Sequence, residues 1–227
     1  ATSSMADRPT FSIGYTAAYG GYTVTGQEKE GAGDPQEINT HEAAGEFGYS
    51  SVFLEVSFAD RVTIGASWMA DEVETGMTSR TDTLCPPGAV NPQGNKISTC
   101  SSTGDSGNNS GTSSVKAELS NLTTGYVEVN IWNGLYAKYG IMEMDVETKE
   151  NLHTDSQYPN ATMDGDTYGF GWKGSFDNGV FIKTETMMQD WSDLKLTATG
   201  STGTSNANTI EASLQGALAS ISIGKAF

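Results

Sequence analysis

Phe11, Ile13, Tyr15, Ala17 and Tyr19 take every second position of "PTFSIGYTAAYGGYTVTG", with Ser12, Gly14, Thr16, Ala18 and Gly20 between them. A period of two marks a β-strand with one apolar face. Seven further segments read the same way. Val52, Leu54, Val56 and Phe58 alternate within residues 45–60, and Val62, Ile64, Ala66, Trp68 and Ala70 follow. A segment starting near Ser114 ends on Val127, Val129 and Ile131. The next carries Leu135, Ala137, Tyr139 and Ile141, and its phase is expected to slip at a bulge near Ile141. Tyr168, Phe170, Trp172, Gly174 and Phe176 form the cleanest series, followed by Val180, Ile182, Thr184 and Met188. The last segment, from about Asn208, has Ala217, Ala219, Ile221 and Ile223 on one side and ends on Phe227.

The connections alternate in length. "ADR", Asn133–Gly134 and Asp177 to Gly179 are tight hairpin turns. The others are long and polar: about 27–44, 74–112, 151–163 and 200–207. Eight antiparallel strands joined in this way put every short turn and both termini at one end, and every long loop at the other. No stretch of useful length has helical periodicity. The expectation is an all-β, single-domain, eight-stranded antiparallel up-and-down barrel over residues 1–227.

Such a barrel is either a soluble binder with apolar residues around an internal ligand or a transmembrane barrel with apolar residues outward. The minority faces decide between them. They carry Glu55, Asp71, Glu128, Lys138, Lys173, Lys183 and Glu185 among Gly, Ser and Thr. Small residues suit a narrow interior and opposed charges can pair there, so the transmembrane form is expected. Glu55, Glu128, Lys138, Lys173, Lys183 and Glu185 then form a lumen charge network, read first as a plug and second as the lining of a narrow pore. Each segment exceeds the ~9–11 residues that a tilted strand needs to cross a bilayer. Aromatic residues fall in two bands: Phe11, Phe58, Trp132, Phe176, Phe181 and Phe227 near the short turns, and Tyr19, Trp68 and Tyr168 higher.

The closing "ISIGKAF" resembles the C-terminal signal of bacterial outer-membrane barrels. Ile221, Ile223 and Phe227 fit it, and Lys225 stands where an apolar residue is usual. The whole chain is similar in architecture to the small eight-stranded group that includes the OmpA barrel domain, OmpX and OmpW. The resemblance implies a Gram-negative outer membrane. It also implies lipid and lipopolysaccharide as surroundings, and the outer-membrane assembly machinery as reader of the terminal strand. Homo-oligomeric or lattice contacts stay open.

Charge narrows the partners. Acidic residues outnumber basic ones 28 to 12, for a net charge of −16, so nucleic acid is not expected as a partner. The opening "ATSSMADRPT" has no basic start or apolar stretch, and a chain that begins at Ala was either processed or trimmed. Cys85 and Cys100 bracket a Pro- and Gly-rich loop, and a disulfide there would contribute roughly 3 kcal/mol through loop closure. His41 and His153 lie in loops without a nucleophile or metal-binding spacing. Asp164 and Asp166 lack the remaining ligands of a calcium loop. No cofactor and no metal site is expected. The first reading of function is therefore a non-enzymatic outer-membrane barrel with a structural or surface-contact role for its extracellular loops. A narrow porin-like channel is second, and a lipid A-modifying enzyme third.

Overall fold

In the computed structural model, residues 9–30, 37–59, 61–69, 71–75, 77–84, 109–151, 157–199 and 208–227 are described. They form one antiparallel sheet of β1 (Thr10–Glu30), β2 (Glu37–Phe58), β3 (Val62–Met69), β4 (Val73–Glu74), β5 (Thr78–Leu84), β6 (Asn109–Trp132), β7 (Leu135–Asn151), β8 (Ala161–Ser175), β9 (Val180–Trp191), β10 (Leu194–Thr197) and β11 (Thr209–Ala226). The order β1-β2-β3-β6-β7-β8-β9-β11 closes because β11 also pairs with β1. Eight strands therefore make the ring. β4 and β5 continue the line of β3 along β6, and β10 continues that of β9 along β11.

The register fixes the shape. Paired residues followed once round the ring run from Ile13 through Leu54, Ala66, Gly125, Ile141, Asp166, Asp190 and Gln215 to Thr23, ten residues above the start on β1. Eight strands with that stagger tilt by about 40° and enclose a backbone radius of about 8 Å. An interior of that width holds side chains from opposite walls in contact.

The two faces separate cleanly. Phe170 is 65 % exposed and Leu54 62 %, whereas Phe181 is fully buried. Leu54, Ile64, Val129, Ile141, Phe170 and Ile221 all point out, on six different strands. An apolar belt of this extent, continuous round the ring, has no soluble counterpart. It is the lipid-facing surface of a transmembrane barrel. Phe181 departs from the expected aromatic band. It is out of phase with Val180 and Ile182, so it enters the lumen. Asp71 also departs: it is exposed and accepts hydrogen bonds from the Ser50 amide and hydroxyl, outside the lumen.

Interior glycines make room for rings. A Cβ on Gly65 would stand 2.4 Å from Tyr126, and one on Gly171 2.4 Å from the Tyr136 hydroxyl. Gly14 and Gly224 would meet Phe53 at 2.2 Å and Phe181 at 2.3 Å. Four aromatic side chains thus lie flat against the inner wall instead of blocking the centre. At the β6–β7 turn, Asn133 and Gly134 both have positive φ, 46° and 83°, the geometry that matches the twist of the flanking strands.

Strands reach further than alternation indicates. Residues 27–30, 37–44, 78–84, 109–112 and 161–163 are all strand, although each reads as polar loop. Above the membrane the outward positions are wetted and the apolar signal disappears, while the hydrogen-bond ladder continues. No phase slip occurs in β7, where Tyr136, Gly140, Met142, Met144 and Val146 face inward in one unbroken series. The register shifts lie on β6, between Ser120 and Thr123 and between Asn130 and Trp132. The apparent slip at Ile141 reflects a lumen that changes from polar to apolar at that height.

Candidate functional site

Two layers occupy the lumen. The lower one is ionic. Glu55 on β2, Glu128 on β6, Lys138 on β7, and Lys183 and Glu185 on β9 converge from around the ring. The Lys183 ammonium reaches Glu128 at 2.7 Å and also pairs with Glu55. Lys138 is 2.9 Å from Glu185 and 3.8 Å from Glu128. Tyr126 donates its hydroxyl to Glu55 and Tyr136 donates to Glu185, each at 2.8 Å. The aromatic faces also serve, with Lys138 3.9 Å above the Tyr126 ring. Lys173 sits apart, its ammonium 4.2 Å over the Phe181 ring. Glu55 and Lys183 are each 2 % exposed. Charges so far from water persist only when paired and hydrogen-bonded, and here the partners come from opposite walls. The cluster therefore spans the lumen and ties the barrel across its width.

Just above it is a polar chamber of about 50 Å³, lined by Thr16, Ser51, Ser67, Thr124, Thr167 and Ser220 among others. Glu55 Oε2 is buried without a partner.

The upper layer is apolar. Met69, Leu122, Met142, Met144, Val146, Met163 and Trp191 form one buried cluster, joined by Tyr49, Leu119, Leu194 and Leu214. All of them except Met142, which lines the polar chamber below, surround a cavity of about 510 Å³ at the long-loop end. Phe47 stacks on Tyr49 at 5.9 Å between ring centres and lies 5.7 Å from Tyr22, and these three rings line the β1–β2 side. The charged residues at the cavity are Glu46, Glu74 and Lys116, with Lys116 bound to Glu74 at 2.7 Å.

None of these apolar residues is a sequence-derived site candidate. The signal was present in the even positions of β7, where Met142, Met144 and Val146 succeed Tyr136 and Lys138. It became a lining only once the register placed Met69, Leu122, Met163 and Trp191 at the same height. The other candidates fall elsewhere. Cys85, Cys100 and His153 lie outside the described residues, and His41 is exposed on β2. Ile221, Ile223 and Phe227 face outward, and the Phe227 amide donates to the carbonyl of Phe11. Lys225 reaches back to the carbonyl of Asn178 in the β8–β9 turn.

No protein-family model matches the chain, and no curated protein matches it. Among solved structures, it is similar to the outer-membrane protein OprG of Pseudomonas aeruginosa, with 10 % identity, 94 % of this chain and 96 % of that one covered, and a TM-score of 0.47. It is similar to Ail, the attachment invasion locus protein of Yersinia pestis, with 10 % identity, coverage of 91 % and 98 %, and a TM-score of 0.37. It is also similar to the outer-membrane protease OmpT of Escherichia coli, with 8 % identity, coverage of 98 % for both, and a TM-score of 0.44. At these identities and scores, no role named for those proteins transfers to this chain.

Proposed function

We infer that the chain is a non-conducting barrel of the bacterial outer membrane that binds a small apolar molecule in the cavity at its long-loop end. The cavity of about 510 Å³ carries this reading. An interior that served only to hold surface loops apart would be filled by side chains, as it is one layer below. Here methionines and aromatic rings surround a volume within the range of small-molecule sites. The ion cluster beneath speaks for a closed lumen and against a resting route for solutes. Binding without chemistry fits the lining, in which Lys116 and Glu74 are engaged with each other. In this reading the outward belt meets lipid and lipopolysaccharide, the loops frame the mouth, and the strand ending in Phe227 carries the assembly signal.

The test uses the full chain in lipid nanodiscs. An apolar fluorophore should bind saturably at one site, and Leu122→Trp, which fills the cavity, should weaken it at least about tenfold, or roughly 1.4 kcal/mol. Planar-bilayer recordings of the unmodified protein should stay at baseline. Steady channels of reproducible size, or binding indifferent to Leu122→Trp, would overturn the reading.

A further inference from the structure

The cavity ends downward on Tyr49 and Gln189, which line both it and the polar chamber below. Gln189 is 5 % exposed and donates Nε2–H to the sulfur of Met142 at 3.4 Å. A thioether is a weak acceptor, so the N–H on Met142 is held by less than an oxygen would provide, while the same side chain also hydrogen-bonds the Tyr49 hydroxyl. The walls above it offer hydrocarbon and sulfur, with Met69, Met144 and Met163 able to re-pack around different shapes.

Charge is arranged against anions. By position in the sequence, only Asp7, Asp60 and Asp177 belong to the short-turn end, and only Glu55, Glu128 and Glu185 to the lumen. The remaining carboxylates belong to the long-loop end. The lysines described there are occupied: Lys29 and Lys195 by Glu211, Lys116 by Glu74, and Lys149 by Glu147 and Glu118. Beneath the floor, the carboxylates Glu55, Glu128 and Glu185 lie among the ammonium groups of Lys138 and Lys183, and Glu55 Oε2 has no hydrogen-bond partner. An anion entering the cavity would meet negative potential at the mouth.

Resting on the binding role assigned to the cavity, we propose that its ligand is an uncharged, mainly hydrocarbon molecule with one oxygen acceptor at its leading end. A medium-chain alcohol, ketone or ester fits. The oxygen takes the Gln189 N–H from Met142, the chain fills the methionine-lined space, and the corresponding carboxylate anion is rejected.

The tryptophans supply the readout. Trp191 lines the cavity, while Trp68, Trp132 and Trp172 face outward. Fluorotryptophan-labelled protein in nanodiscs is titrated with decane, decanol and ionised decanoate at alkaline pH and followed by fluorine NMR. The three outward resonances report partition into lipid, and the Trp191 resonance reports the site. Decanol should bind about three- to tenfold more tightly than decane, the worth of one neutral hydrogen bond, and decanoate should be the weakest. Gln189→Met, similar in size, should bring decanol to the level of decane. Equal binding of decanoate and decanol, or an alcohol preference that survives Gln189→Met, overturns the proposal while leaving a binding cavity. Silence of Trp191 towards all three probes overturns the binding role itself.

Discussion

Lys183 is held between Glu55 and Glu128 with its ammonium away from water. Replacing it by Met leaves Glu55 without its ammonium partner and Glu128 with only the more distant Lys138, 3.8 Å away. Breaking a buried network from one side costs about 3–5 kcal/mol, and urea unfolding from lipid vesicles should show a loss of that size for Lys183→Met. The glycines beside it are equally constrained. Gly171→Val drives a side chain into the Tyr136 hydroxyl, 2.4 Å from where the Cβ would stand, and takes that phenol from Glu185. Overpacking of this kind costs about 1–3 kcal/mol. One position earlier the chemistry reverses. Phe170 faces lipid, and Phe170→Arg should cost about 2–4 kcal/mol near the bilayer midplane. Small penalties for both Phe170→Arg and Gly171→Val would contradict the face assignment.

At the scale of elements, hairpin turns and strand extensions carry different risks. Gly134 has φ of 83° and stands where a Cβ would lie 2.3 Å from the carbonyl of Lys173. Gly134→Val therefore combines backbone strain with a clash against backbone, and it should slow refolding into vesicles more than Asn151→Ala at the far end of β7. At the long-loop end, β10 is held to β11 by Leu194–Thr197 pairing with Thr209–Ala212, and Glu211 ties Lys195 to Lys29 on β1. Hydrogen bonds and charge attraction from Lys195 and Lys29 hold the Glu211 carboxyl below its ordinary value of 4.5. The tie is therefore fully present above that ordinary value and is lost as pH falls through the lower, folded one. Amide exchange, corrected for its intrinsic pH dependence, should speed up in residues 194–197 and 209–212 on acidification. The membrane-spanning part of β11 should not follow. The effect is small, since exposed pairs contribute little.

For the whole molecule, the decisive feature is one tube with two fillings. The ionic layer ties opposite walls across the lumen, and the apolar layer above it leaves space. Lys183→Met should therefore differ from Leu122→Trp in kind. The first should loosen the closure and bring current flickers in planar bilayers, with ligand binding largely kept. The second should abolish binding and leave the bilayer silent. If both variants lose both properties, the layers are not independent.

Alternation made the eight ring strands legible, along with the three tight turns and the sign of each face. Period-two patterning survives wherever one side meets lipid and the other a crowded interior. Glu55, Glu128, Lys138, Lys183 and Glu185 could be placed on the inner face for the same reason. Their mutual contacts could not be read, because Glu55 and Lys183 are 128 residues apart and meet only through closure and a stagger of ten. The strand extensions over 27–30, 37–44 and 109–112 were hidden, since outside the bilayer both faces are wet and the pattern has nothing to record. The cavity was hidden for a different reason. Met69, Leu122, Met144, Met163 and Trp191 lie on five strands and look locally like a change of phase or ordinary apolar residues. Only the register brings them to one height, and height in a tilted barrel is a property of the closed sheet, not of any segment.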